Sequence, residues 1–127
     1  MKKKTIAALP FLLLVLGLSV FLSACDADCF DGSREAGLNF YRLNIERMTG
    51  TDTHTMQLKA GDMLEVCFKT EYGKLRMDIK ASDGTLIYTG SGENTTDFTV
   101  NISRSGEYSV CVQAHNAKGN ISIQKRR

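Results

Sequence analysis

The amino-acid sequence predicts an all-β fold, a two-sheet antiparallel jelly-roll-like sandwich of about eight strands. Three observations predict it. From Asn39 onward, apolar side chains recur at every second position in seven short runs, and an eighth run is a short continuous apolar stretch. Clusters of glycine with aspartate, serine or tyrosine separate most of these runs. No stretch after position 24 sustains a helical period, so alternation is the pattern left to place side chains on two faces.

The first element stands apart from this pattern. Lys2, Lys3 and Lys4 precede 18 uncharged residues, Thr5 to Leu22 (22 − 5 + 1), and Leu22-Ser23-Ala24-Cys25 closes the stretch. A basic start, an apolar segment and small residues at its end are the parts of an export signal. The order resembles a bacterial lipoprotein signal peptide. That resemblance implies that a signal helix, residues 1–24, is cleaved and that Cys25 becomes the lipidated first residue. Its thiol would carry diacylglycerol, and its amine a further chain such as palmitate. Two or three chains, at about 0.8 kcal/mol per buried methylene, hold a protein to a bilayer almost permanently. The expected place is the extracytoplasmic face of the cell membrane. Asp26 resembles the residue that keeps such lipoproteins in the inner of two membranes, and in a single-membrane cell it has no such meaning. An uncleaved transmembrane helix is the competing reading, since 18 residues is near the lower limit for a span.

Removing residues 1–24 leaves 103 residues (127 − 24), with 13 basic and 14 acidic side chains. The balance becomes −1 in place of the +2 of the whole chain, which removes the basic surface that nucleic acid would require. Residues 25–37 contain Asp26, Asp28, Asp31, Gly32, Ser33, Arg34 and Glu35, and read as an acylated, aperiodic tether. The stretch Asp26–Ser33 looks like a calcium loop but lacks the later oxygen ligands and the closing glutamate. Residues 38–125 are one domain. Residues 126–127 end the basic run Lys125-Arg126-Arg127 as a solvated tail.

Within the domain the strands follow in order. Tyr41, Leu43 and Ile45 form the first run, and Met56 and Leu58 the second. Leu64, Val66 and Phe68 form the third, and Leu75, Met77 and Ile79 the fourth. Leu86-Ile87-Tyr88 is a short fifth, and Phe98, Val100 and Ile102 the sixth. Tyr108, Val110, Val112 and Ala114 make the seventh, and Ile121 and Ile123 the eighth. Turn signals stand at Gly61-Asp62, Tyr72-Gly73, Asp83-Gly84, Gly90-Ser91-Gly92, Ser105-Gly106 and Lys118-Gly119. Apolar on one face and polar on the other is the pattern of antiparallel sheets wet on one side.

The strand from Gly73 that runs into Asp83-Gly84, the Ile87-Tyr88 strand, and Gly106-Glu107-Tyr108 opening a later strand resemble a Golgi-dynamics (GOLD) type sandwich. They also resemble the bacterial pre-peptidase C-terminal domain. The resemblance covers roughly residues 39–124. It implies a fold used by interaction modules and appendages of other proteins, with no activity attached to the fold itself.

Cys29, Cys67 and Cys111 fall in the part expected to be exported, where thiols can be oxidised. Cys67 and Cys111 occupy the polar parity of their runs. If strands 62–70 and 106–114 are neighbours, a Cys67–Cys111 disulfide can form on the outer face. GOLD-like domains carry a cysteine after the Gly-x-Tyr, as at Cys111, with a partner further upstream than Cys67, so Cys29–Cys111 stays open as a second pairing.

No metalloprotease, serine-nucleophile or phosphate-loop motif is present. His54, among Thr51, Thr53 and Thr55, reads as a solvated loop histidine, and His115 beside Asn116 likewise. The cysteines and histidines lack zinc spacing. No catalytic residue, metal ligand or cofactor site is assigned. The chain reads as a membrane-anchored exported lipoprotein serving as a non-catalytic binding or adaptor module at the cell envelope. Its expected partners are membrane lipid, through acylated Cys25, and an envelope protein or wall polymer, through polar loops at 49–55 and 89–96. The alternatives are a structural, protective or exclusion-type surface lipoprotein, and a small envelope hydrolase or redox protein using converging acids or a reactive Cys29.

Overall fold

The computed structural model describes residues 27–94 and 97–126. The signal segment and Cys25 lie outside the described residues. Six strands form one antiparallel sheet: β1 (Cys29–Ala36), β2 (Phe40–Leu58), β3 (Met63–Ala81), β4 (Leu86–Gly90), β5 (Asp97–Asn101) and β6 (Gly106–Arg126). Their order is β1-β2-β6-β3-β4, and β5 also pairs with β3.

Three of these strands are unusually long. β2 and β3 have 19 residues each and β6 has 21, against a usual length of about 5–6. Each changes its burial phase once. In β2 the buried positions are Tyr41, Leu43 and Ile45, then Met48, Met56 and Leu58. In β3 they are Leu64, Val66 and Phe68, then Leu75, Met77 and Ile79. In β6 they are Tyr108, Val110 and Val112, then Ala117, Ile121 and Ile123. A strict period of two would turn the second set of each strand towards water, and an extra residue at a bulge turns it back. The register shifts fall where this requires, between Ile45 and Gly50 in β2 and between Thr70 and Lys74 in β3.

The three irregularities lie side by side, because Met48 pairs with Ala117 and Tyr72 with Lys118. They form one crease across the sheet. Gly73 sits on it with φ +77°, and a Cβ there would lie 2.6 Å from the Ala117 Cα, so glycine is required for both reasons. Asn116 adopts a left-handed φ of 45°, and its backbone N–H donates to the Thr49 hydroxyl at 2.9 Å.

Folding along the crease brings two leaves face to face. The first leaf holds β1, residues 40–45 of β2, 119–126 of β6, 63–70 of β3, and β5. The second holds residues 50–58 of β2, 106–114 of β6, 74–81 of β3, and β4. The buried residues of both leaves form a single apolar core. This is the expected two-layer sandwich. The eight sequence runs are its segments: six are joined in pairs through β2, β3 and β6, and the other two are β4 and β5.

Three expectations need correction. Residues 29–36 are not an irregular tether; they are paired to β2 as an edge strand, with backbone bonds supplying the order that apolar side chains do not. The stretch 49–55 is not a loop but part of β2 as it leaves the crease. Arg126 belongs to β6, where its Nη1 donates to Glu65 at 2.6 Å.

Candidate functional site

The sandwich has two open sides, and they are closed differently. Where β4 faces β5, Tyr88 stacks on Phe98 with ring centroids 4.6 Å apart. Where β1 faces residues 50–58 of β2, the closure is polar. Arg34 lies opposite Leu43 of β2, while Asp52 and His54 lie opposite Val112 and Val110 of β6. Directly paired residues share a face. Since Leu43, Val110 and Val112 are core residues, Arg34, Asp52 and His54 all stand on inward positions.

These three groups meet at Tyr41. Its buried hydroxyl donates to Asp52 Oδ2. Arg34 Nε lies 2.9 Å from Asp52 Oδ2 and 3.1 Å from Oδ1, and Arg34 Nη2 donates to the Thr53 carbonyl at 3.2 Å. The Arg34 guanidinium also lies over the Tyr41 ring, 5.6 Å from its centroid. His54 stacks on the other side of the network, 5.3 Å from the Tyr41 ring at an interplanar angle of 10°. Its Nε2 is 2.9 Å from the Gly37 carbonyl oxygen, which can only accept, so Nε2 carries the proton.

The electrostatics follow from these contacts. Burial, then the bond to Asp52, push the Tyr41 phenol far above its ordinary range. The bond to Asp52 raises Arg34 further. Asp52 takes donors from both, so its charge is matched and each oxygen already has a donor, with lone-pair capacity left over. Groups held in this way suit recognition better than proton transfer. Among the described residues no cluster of three or more His, Cys, Asp or Glu side chains could hold a metal ion.

Beside the network lies a groove of about 320 Å³, between β1 and the β2 crease. Asp28, Phe30, Arg34, Met48, Thr51 and Asp52 are among the residues that line it. Phe30 is 45% exposed. The expected contact residues Thr49 and Thr51 line the groove, whereas Thr53 lies opposite Cys111 on the outer face.

The predicted disulfide is not formed. Strands β3 and β6 are neighbours, but Cys67 lies opposite Ser122 and Cys111 opposite Asp78. The two thiols therefore stand on the outer faces of different leaves, with the core between them, and no bond can span that. Cys29 lies opposite Thr49 on one side of β2 and Cys111 opposite Thr53 on the other, separated by two strand spacings, about 10 Å, across the sheet and by four residues along β2, so the second pairing is also out of reach. Among the described residues, Cys29, Cys67 and Cys111 are all free. A hydrogen bond with Asp97 is the main cause that raises the Cys67 thiol.

Sequence reasoning missed Arg34, Asp52 and His54. The signal was present: Asp52 and His54 share the parity of buried Met56 and Leu58, and extending that alternation upstream points both inward. Arg34 carried no comparable signal, because β1 has no apolar alternation to extend.

No protein-family model matches the chain, and no curated protein matches it. Solved structures do match it in shape. PliG of Aeromonas hydrophila, a periplasmic lysozyme inhibitor of g-type lysozyme, is 16% identical and superposes with a TM-score of 0.50, covering 74% of this chain and 93% of that one. The pre-peptidase C-terminal domain of a Bacillus anthracis collagenase is 17% identical with a TM-score of 0.50, covering 76% and 99%. At these identities the likeness is one of fold, and it places the chain among β-sandwiches that include the pre-peptidase type.

Proposed function

We propose that this chain is an exported, lipid-anchored, non-catalytic binding module of the cell envelope, and that the groove between β1 and the β2 crease is its contact surface. One observation carries the reading. Charged and polar side chains occupy inward positions at one open side of the sandwich, whereas the other side is closed by the Tyr88–Phe98 stack and by bonds from Thr70 to the Ser91 and Gly92 carbonyls. A seam built only for stability has no need of an arginine, an aspartate and a histidine at core parity. Their mutual satisfaction fixes their orientation, as recognition requires. The fold is also that of PliG, which inhibits a lysozyme, and of an appended domain of a collagenase. The lipid anchor rests on the sequence Leu22-Ser23-Ala24-Cys25, and Cys25→Ala should abolish both acylation and membrane retention.

The test of the contact surface is photo-crosslinking in intact membranes. A photo-reactive residue in place of Phe30 should give a defined adduct, either a protein band or an envelope polymer. The same probe in place of Leu86, which is 47% exposed on β4, should give only background. Equal labelling from both positions would sink the reading. A g-type lysozyme is one protein to include, added to the purified full chain with residual lytic activity as the readout.

A further inference from the structure

The groove has a chemistry more specific than polar. Arg34 and Asp52 are paired, so their charges cancel while their outer atoms still present donors and acceptors at fixed positions. Their side chains remain 40% and 25% exposed respectively, so a ligand can reach them. Asp28 adds a carboxylate along the same wall, which Thr49 and Thr51 also line. Phe30 adds an exposed apolar ring. Gly50 lets the Asp28 side chain pack against its backbone: a Cβ at that position would lie 2.9 Å from the Asp28 carboxyl carbon. A carboxylate and a guanidinium held side by side match the spacing of adjacent hydroxyls, and an apolar ring matches the C–H face of a sugar.

We propose that this groove binds a neutral saccharide of one or two sugar rings, with Phe30 as the stacking surface and Arg34, Asp52 and Asp28 as hydroxyl partners. The inference rests on the reading of the groove as the contact surface and names its ligand class. The volume of about 320 Å³ is at the small end of ligand clefts, which run to about 1,000 Å³. A basic protein side chain is the weaker match. It would need unmatched negative charge, and of the two carboxylates Asp52 is already held by Arg34 and Tyr41.

The experiment uses the full chain in detergent micelles, titrated separately with chitotriose, cellotriose, a digest of the host's own envelope glycan, and trilysine. Calorimetry measures binding, and amide resonances locate it. The expected result is saturable binding of at least one saccharide, with shifts confined to residues around Phe30, Gly50 and Thr51. Phe30→Ala should weaken binding about tenfold or more. Its thermal unfolding should match the parent, because the ring is exposed. Leu86→Ala should bind as the parent does. Binding of trilysine alone, lost in Asp28→Asn, would overturn the saccharide assignment and leave the contact surface standing. Absence of binding by all three sugar preparations would also overturn it, and the Phe30 crosslink would then decide the contact surface separately. Saccharide binding unchanged by Phe30→Ala would overturn both.

Discussion

At the scale of single residues, Tyr41 is the group on which the seam turns. Its phenol is buried, donates to Asp52 and carries the Arg34 and His54 contacts on its ring. In the unfolded chain a phenol ionises near pH 10, whereas in the fold Tyr41 holds its proton to higher pH. Above pH 10 the folded state therefore binds more protons than the unfolded one. Stability is fully present below that pH and falls as pH rises, by up to about 1.4 kcal/mol per pH unit. Urea denaturation between pH 8 and 12 should show this decline. Tyr41→Phe should flatten it, leaving the contributions of Tyr88, whose phenol burial also raises, and of Cys67, whose thiol is raised by its bond with Asp97. Asp52→Ala is the harsher change. It strips the buried Tyr41 hydroxyl and Arg34 Nε of their acceptor, and should cost about 1–3 kcal/mol in the same assay at pH 7.

At the scale of elements, the crease and β1 behave oppositely. The crease is over-determined: Gly73→Ala would force a side chain into left-handed backbone and against Ala117, and should destabilise by roughly 1–3 kcal/mol. β1 is weakly held, since seven of its eight residues are exposed and it pairs only with β2. Its amides should exchange with deuterium well before those of β6, which is paired on both sides; equal protection would contradict this. The same contrast shows what the sequence made legible. The alternating runs were readable because apolar parity is written in the residues themselves. The union of Ile45 with Met56, or of Phe68 with Leu75, was not. A phase change looks the same whether a strand has ended or carries a bulge. β1 escaped notice for a different reason: it is ordered by its backbone ladder, and a polar strand of this kind has no side-chain signature.

At the scale of the whole molecule, the leaves are held by the core, the two closures and the three strands that run through both, with no disulfide among the described residues. Thiol alkylation of the non-reduced protein should modify Cys29 and Cys67, and a reductant should leave the unfolding midpoint unchanged. A large loss of stability on reduction would show a disulfide after all. The separation of Cys67 from Cys111 could not be read from parity alone. Parity gives the face of a strand, while their separation depends on which half of β3 meets which half of β6, and the crease decides that.

Strand order also dictates when this chain can fold. β6 is the last of the six strands in sequence and yet lies in the middle of the sheet, between β2 and β3. Its pairs with β2 join residues 48 to 84 positions apart, from Leu58 with Gly106 (106 − 58) to Phe40 with Gln124 (124 − 40). Until β6 arrives, β2 has only β1 beside it and β3 only β4 and β5, and neither cluster can close a core. Such distant closures fold slowly. If the proposed export carries the chain through a membrane N-terminus first, the sandwich assembles only once the central strand has crossed, and cannot close midway and jam the passage.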